Sequence, residues 1–470
     1  MRAADRAQAW FEATSAVLDP GVDPTVLAAS LAVFALALAL WVAWRWPALM
    51  WAAALAALAI RPQLLWGDRN VGYEWGLHQT LLALALAVNA FHFGIRKSLN
   101  WPIVALTAVF ALNVLFGHLH EDLTTGLMLT GLSLLALPFA FTHVILAPDA
   151  RRVCPLVIAL APLLSVAIGA LIQLAGIHTM FAGVHDRLEG ATGNAGVFGA
   201  LAFAGFAVAL HESAVRPKDR SWMGALASVN LVLVILSGTR TSMLASGVLL
   251  LAYLLTSEQF RDRLRRNRAM VVFGICLIGT AVTVYAPTLY HRVLDSMGRA
   301  GIWERFYDEF WRSPVFGRGL GSAFITRKAS ELLYAAPHNE YLHLLVVGGA
   351  LGFALCLTAI VFWYADILRT ASPGDRKFLL SVAAALAVYG IADNILVYPT
   401  ALGLFVYLGM IGQPEAARSA HRTAMGTDTG TSRQGNPGRS GERGVAGWRR
   451  RLLAPSAALT RDRSRHASHT

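Results

Sequence analysis

Residues 153–177 read VCPLVIALAPLLSVAIGALIQLAGI, a run of 25 residues without one charged side chain. A helix needs about 20 apolar residues to cross the hydrocarbon core of a bilayer, so this run predicts a membrane span. The chain of 470 residues is 56% hydrophobic and 14% charged, with a mean hydropathy of +0.52. Soluble domains are about a quarter charged, so this composition argues against an ordinary soluble protein. We therefore predict an all-α polytopic membrane protein.

Other stretches qualify or nearly qualify as spans, although a few are short or closely joined, so we predict about 12 transmembrane helices (12–13). The further stretches are 26–44, 47–60, 73–93, 101–117, 124–146, 194–211, 222–237, 241–256, 269–286, 341–366, 378–392 and 395–412. Alternate loops between them hold fifteen Lys and Arg residues, against four in the intervening short loops. The positive-inside rule places the richer set in the cytoplasm.

These spans divide the chain into three parts. Residues 1–25 carry several charges and lack the pattern of a cleavable signal peptide, so we expect a segment lying at the membrane interface. Residues 26–412 form the transmembrane domain, with one large external loop at 287–340. Residues 413–470 hold eleven Arg against four acids (11 − 4 = +7). We expect this tail to be disordered, cytoplasmic and in contact with anionic lipid rather than nucleic acid.

Several common kinds of site are missing from the sequence. The three cysteines, Cys154, Cys276 and Cys356, lie in apolar stretches without a CxxC pair, so we expect neither a zinc site nor a disulfide framework. The chain has no DxD carboxylate pair, Walker loop or GxSxG elbow. A nucleotide-sugar enzyme is therefore poorly supported. An external reaction would need a donor that reaches the outer face already activated, such as a lipid diphosphate.

Polar residues and turn residues meet at four predicted external places. The first three carry arginines, Arg187, Arg240 and Arg299, and the last carries His338 beside Asn339. Charges near the membrane are costly and often serve function, and a guanidinium fork suits phosphate oxygens. Each feature also has a simpler explanation. A single interfacial arginine is often an anchor, and the aromatic residues of the external loop are typical of an interfacial belt. Asp393-Asn394 fits either a turn or a residue pair that supports the site, and we favour the turn.

Five motifs in order resemble the superfamily of O-antigen ligases and O-antigen polymerases over about 180–412. They are R-x-x-G-x-x-x-N at 187–194, S-G-[ST]-R-[TS] at 237–241, G-R-x-x-x-W at 298–303, P-x-x-G-x-G-x-G at 314–321, and H-N-x-Y-L at 338–342 followed by G-x-x-G at 349–352. No single motif is specific, but the order and spacing of all five are.

The resemblance implies a GT-C-like enzyme of the bacterial inner membrane, a multi-pass protein whose active site faces the periplasm. Such enzymes take a glycan from undecaprenyl diphosphate and transfer it to an acceptor hydroxyl without a metal or other cofactor. By this resemblance the three arginines bind the donor diphosphate and His338 is the general base. The supporting residues are Asn194, Ser237, Trp303, Asn339 and Tyr341.

The resemblance leaves the acceptor open. We expect O-antigen ligation to lipid A-core, because a histidine at this place is more often associated with ligases. A polymerase of O-antigen or exopolysaccharide, which uses another lipid-linked repeat, is the first alternative. A polytopic transporter is an alternative from another class, although it should show matched halves with broken spans near the midplane. The sequence shows no such repeat, and its polar motifs lie at one predicted face.

Overall fold

The computed structural model describes residues 41, 45–61, 64, 72–94, 146–182, 186–256, 299–319, 325–328, 331–334, 337–396 and 398–413. Its helices are α1 (Pro47–Ala57), α2 (Gly72–Phe93), α3 (Pro148–Leu174), α4 (Ala195–Val215), α5 (Arg220–Leu236), α6 (Arg240–Thr256), α7 (Arg299–Arg312), α8 (Glu340–Thr370), α9 (Pro373–Ala392) and α10 (Leu402–Ile411). Short 3-10 turns lie at Gly190–Thr192, Pro217–Asp219 and Pro399–Ala401. The prediction of a helical protein is confirmed for this part of the chain.

Two short antiparallel ribbons were not expected from the sequence. Strand β1 (Phe181–Ala182) pairs with β2 (Arg187–Leu188), with Ala182 opposite Arg187. Strand β3 (Ile325–Lys328) pairs with β4 (Glu331–Tyr334) inside the predicted external loop. Ribbons this short give little hydrophobic alternation, so the pattern of apolar residues does not reveal them.

Four described helices are long and apolar enough to cross a membrane: Asp149–Leu174, Ala195–Val215, Pro217–Leu236 and Glu340–Thr370. Shorter apolar helices lie at Pro47–Ala57, Thr80–Phe93, Arg240–Thr256 and Leu402–Ile411. Three predicted spans, 101–117, 124–146 and 269–286, lie outside the described residues apart from position 146, as does nearly all of 26–44. The total of about 12 spans and the periplasmic side of the loop therefore stay predictions.

Helix α4 is the centre of the described bundle. It packs against α3, α5 and α6, and most of its residues are buried. Small residues allow the close approach: a Cβ on Gly205 would lie 2.9 Å from Asn230 on α5 and from Pro162 on α3. Asn230 also donates from Nδ2 to the Ala159 carbonyl at 2.9 Å. The core is therefore built around a helix that meets neighbours on all sides.

A buried polar cluster joins α4, α9 and α10 at one end of the bundle. Nε2 of His211 lies 3.1 Å from Oδ1 of Asp375. Nδ1 of the same ring lies 2.6 Å from the Tyr407 hydroxyl. The Tyr407 hydroxyl donates to Glu212 Oε1 at 2.7 Å, and Glu212 pairs with Arg216. Arg216 belongs to a loop that the charge rule predicts to be cytoplasmic. The starts of α4, α6 and α8 and the end of α9 lie at the opposite end.

Candidate active site

His338 lies in the turn that opens α8, where Asn339 caps the helix. The Asn339 side chain accepts from the Leu342 backbone N–H at 3.0 Å, and His338 has a positive φ of 48°. The ring Nδ1 lies 3.0 Å from Oδ1 of Asp393, at the end of α9. The His338 side chain is 37% exposed, whereas that of Asp393 is 5% exposed. A buried carboxylate therefore orients a histidine that reaches solvent.

Asp393 contacts His338, although the sequence analysis favoured a turn over a supporting role for this residue. Its Oδ1 does accept from the Asn394 N–H at 2.9 Å, which is the turn contact. The same oxygen also accepts from His338 and, at 2.9 Å, from the Tyr398 hydroxyl. A carboxylate that accepts from Nδ1–H fixes the imidazole tautomer and leaves Nε2 free to take a proton. Asp393 and Tyr398 are thus site residues that the motifs did not name.

Arg187 packs across the turn between α5 and α6. Its Nε donates to the Ser237 carbonyl at 3.0 Å, and Nη2 donates to Thr239 Oγ1 at 3.1 Å. A Cβ on Gly238 would lie 3.1 Å from Arg187 Cγ and Nε, so the glycine allows this approach. Thr239 Oγ1 in turn donates to the Ala195 carbonyl at 2.8 Å. Two of the predicted motifs therefore meet at the start of α4.

The serine of this turn holds the turn itself. Ser237 Oγ donates to the Val234 carbonyl at 2.6 Å and accepts from the Thr239 N–H at 3.2 Å. Its side chain is fully buried and its role is structural. Its carbonyl also accepts from Arg187, and the supporting role of Ser237 in the site stays a prediction.

Arg240 is the first residue of α6 and is exposed. Its side chain makes no hydrogen bond or ion pair with another described residue. Its neighbours tie α6 to α9: Thr241 Oγ1 donates to the Ala392 carbonyl at 3.4 Å, and Ser242 Oγ lies 3.1 Å from the Tyr389 hydroxyl. Ala392 directly precedes Asp393, so the arginine turn and the histidine turn lie at the same end of the bundle.

Arg299 begins α7 in the predicted external loop, and its side chain lies outside the described part. One turn later, Trp303 Nε1 donates to the Pro337 carbonyl at 2.7 Å. This bond places the first turn of α7 beside the residue that precedes His338. The structure therefore brings the helix start that carries Arg299 close to the histidine turn.

The other two predicted supporting residues stabilise helices near the site. Asn194 caps α4 and accepts from the N–H groups of Gly196 and Val197 at 2.8 and 3.2 Å. Tyr341 donates from its hydroxyl to the Ala387 carbonyl of α9 at 2.9 Å. These contacts stabilise the start of α4 and tie α8 to α9, and the supporting role of Asn194 and Tyr341 stays a prediction.

Glu340, to which the sequence analysis assigned no role, is buried in the same region. Its Oε1 lies 3.1 Å from His343 Nδ1, and its Oε2 accepts from the Leu396 N–H at 3.0 Å. Leu396 lies in the turn that follows Asp393. Glu340 therefore ties the first turn of α8 to the segment that carries the carboxylate partner of His338.

The carboxyl of Glu189, two residues after Arg187, has a raised pKa because of its burial. Four groups oppose this shift: the His178 ring, the backbone N–H of Ala195, and the guanidinium groups of Arg187 and Arg61. His178 Nε2 lies 4.0 Å from Glu189 Oε2. Within the described residues, no group of three or more His, Cys, Asp or Glu could hold a metal ion.

Residues 225–357 match the O-Antigen ligase family model. A comparison with curated proteins finds no match for this chain. The matched range includes Arg240, Arg299 and His338, whereas Arg187 and Asp393 lie outside it. The family that the five motifs indicated is therefore confirmed over this part of the chain. The match supports a glycosyltransferase-like membrane enzyme over a transporter.

Proposed function

We propose that this protein, whose residues 225–357 match the O-antigen ligase family, transfers a glycan from undecaprenyl diphosphate to an acceptor hydroxyl. The reaction would take place at the periplasmic face of the bacterial inner membrane. The observation that carries the proposal is the histidine turn: His338 lies 3.0 Å from a buried carboxylate, at the end of the bundle where Arg187 and Arg240 are placed.

In the proposed reaction, Nε2 of His338 takes the proton of the acceptor hydroxyl. The hydroxyl oxygen forms a bond to the anomeric carbon of the glycan, and the bond from that carbon to the diphosphate oxygen breaks. The electron pair leaves with undecaprenyl diphosphate. Asp393 stabilises the imidazolium that forms, because its Oδ1 accepts from Nδ1 at 3.0 Å. Base catalysis by a positioned histidine is commonly worth about 10²–10⁴-fold in rate.

The arginines would bind the diphosphate, whose negative charge increases as the glycosidic bond breaks. Donors that are fixed before the reaction stabilise such charge at little reorganisation cost. Arg187 is held by Ser237 and Thr239, whereas Arg240 is exposed at the start of α6. We assign Arg299 to the same role by the family resemblance. No metal is needed in this scheme, because permanent guanidinium charges take the place of a cation.

Among acceptors we favour lipid A-core oligosaccharide, which makes the reaction O-antigen ligation. A general base that acts on a sugar hydroxyl fits either this acceptor or a second lipid-linked repeat. The family match and the histidine therefore support glycan transfer in general, and the ligase assignment rests on the presence of a histidine at this place, which is more often associated with ligases.

Deletion of the gene and electrophoresis of lipopolysaccharide test the proposal. Loss of the whole ladder, restored by the wild-type gene and not by His338→Ala, is the expected result. A band with a single repeat would identify a polymerase instead. An unchanged ladder would contradict both, provided that immunoblotting finds the protein in the parent strain.

A further inference from the structure

Helix α8 is broken near its start, at Gly349. This residue has φ 62° and ψ −170°, far from helical values. A break of this kind leaves nearby backbone groups without partners within the helix, and such groups are costly in a membrane protein. Here a segment of the predicted external loop supplies the partners.

That segment, Pro314–Gly319, pairs with the broken helix through four backbone hydrogen bonds. The N–H groups of Ala350 and Leu351 donate to the carbonyls of Pro314 and Val315 at 2.8 and 3.1 Å. In return, the N–H groups of Arg318 and Gly319 donate to the carbonyls of Val346 and Val347 at 2.8 and 3.0 Å. The loop backbone thus completes the helix on both sides of the break.

Two glycines make this pairing sterically accessible. A Cβ on Gly349 would lie 2.3 Å from the Val315 carbonyl oxygen, and a Cβ on Gly317 would lie 2.3 Å from the Val347 carbonyl oxygen. Both glycines also have positive φ values, of 62° and 72°. The neighbouring Gly348 differs, because its Cβ would have an ordinary contact of 3.6 Å with the Phe353 nitrogen. The paired backbones therefore require glycine at 317 and 349, whereas Gly348 has room for a Cβ.

The joint between Pro314–Gly319 and Val346–Leu351 fixes one end of α7. The other end of α7 is fixed beside His338. Near its start, Trp303 donates to the Pro337 carbonyl at 2.7 Å. Near its end, Glu309 pairs with Arg318 of the joint at 3.0 Å. Helix α7 is thus attached near its start to the turn that precedes α8 and near its end, through Arg318, to the break in α8. The joint and the tryptophan bond together define where α7 begins relative to the histidine.

We propose that Gly317 and Gly349 are positioning residues for glycan transfer. Their backbone contact sets the start of α7, which carries Arg299, relative to His338. This proposal rests on the proposed function for the arginine and the histidine. A methyl group at either glycine must push the two backbones apart by about 1 Å, since 2.3 Å is far below an ordinary contact of about 3.4 Å. A misplacement of about 1 Å can cost about 10²-fold in rate.

The first experiment compares Gly317→Ala and Gly349→Ala with the matched control Gly348→Ala. Transfer from a lipid-linked glycan to acceptor is measured with purified protein at saturating donor. We expect the first two variants to lose on the order of 10²-fold in kcat, whereas the control keeps wild-type kcat. Thermal unfolding in detergent should leave all three variants folded at the assay temperature.

The second experiment measures position without the reaction. Spin labels are placed at Asp308→Cys on α7 and Ile391→Cys on α9, both exposed positions. The three native cysteines are replaced by alanine, in a background first shown to fold as the wild type does. The distance distribution should shift or broaden in Gly317→Ala and Gly349→Ala, and should match the wild type in Gly348→Ala.

The outcomes separate this proposal from the proposed function. Unchanged distances in both glycine variants would overturn the positioning role, as would altered distances with wild-type kcat. If neither glycine variant folds, the joint is a folding element and the proposal is wrong. If the wild-type protein transfers no glycan although the distances change as expected, the proposed function fails while the joint itself is confirmed.

Discussion

Asp393→Asn removes the charge beside His338 and keeps nearly the same side-chain shape. Oδ1 of Asp393 lies 3.0 Å from Nδ1 of His338. The His338 side chain is 37% exposed, so water screens the attraction between the two groups. At 3.0 Å, two unit charges attract by about 1.4 kcal/mol at a dielectric constant of about 80, and by about 2.8 kcal/mol at about 40. About 1.4 kcal/mol corresponds to tenfold in rate. We therefore expect transfer to slow by about 10- to 100-fold.

The assay is transfer of a fluorescent lipid-linked glycan to lipid A-core by protein in nanodiscs, with donor binding measured separately. Binding should stay within about twofold, because Asp393 acts through the histidine and not on the diphosphate. Tyr398→Phe is the control, since it removes a 2.9 Å hydrogen bond to the same Oδ1 and keeps the charge. Wild-type transfer by Asp393→Asn, or an equal loss in Tyr398→Phe, would refute the reasoning.

Four further results are expected. His338→Ala should keep donor binding while transfer falls about 10²–10⁴-fold, and equal losses of both would contradict the assigned role. Arg240→Lys should weaken donor binding without changing thermal stability, because the side chain is exposed. Arg187→Ala should weaken donor binding and also lower the melting temperature, because it removes two hydrogen bonds. Transfer should survive EDTA, and loss that Mg²⁺ restores would show a metal requirement. Cysteines at Lys218 and Asp308 should react with impermeant reagents from opposite sides of the membrane, and labelling from one side would overturn the topology.

The sequence predicted the described helices well because long apolar runs dictate them. The expected span 194–211 became Ala195–Val215 and 222–237 became Arg220–Leu236. The stretch 395–412 was less well predicted: its helix is only Leu402–Ile411, since residues before it form a turn that carries contacts of the site. Apolar composition identifies a buried segment, but it does not distinguish a helix from a buried turn.

The candidate site was only partly predictable for a different reason. The motifs pointed to His338 and Arg187, because a histidine or an arginine beside glycines and helix caps forms a recognisable pattern. They did not identify Asp393 as the partner of His338, because the two lie 55 residues apart in sequence. Tyr398 and Glu340 were missed for the same reason. Contacts between distant segments depend on how the helices pack. A single sequence reveals motif residues, but it does not reveal which distant residues they contact.

The two described arginines contribute to the site in different ways. Arg187 already donates to Ser237 and Thr239, so its guanidinium is oriented before any ligand arrives and little side-chain entropy is lost on binding. Arg240 is exposed, and an exposed side chain must be ordered by the phosphate it binds. Under the proposed function, the fixed arginine would select where the diphosphate lies, and the freer one would add charge after the donor has entered. Under the proposed function both guanidinium charges are permanent, so His338 is the group that takes up the acceptor proton. Its carboxylate partner Asp393 follows α9, whereas Arg187 lies on β2 and Arg240 begins α6.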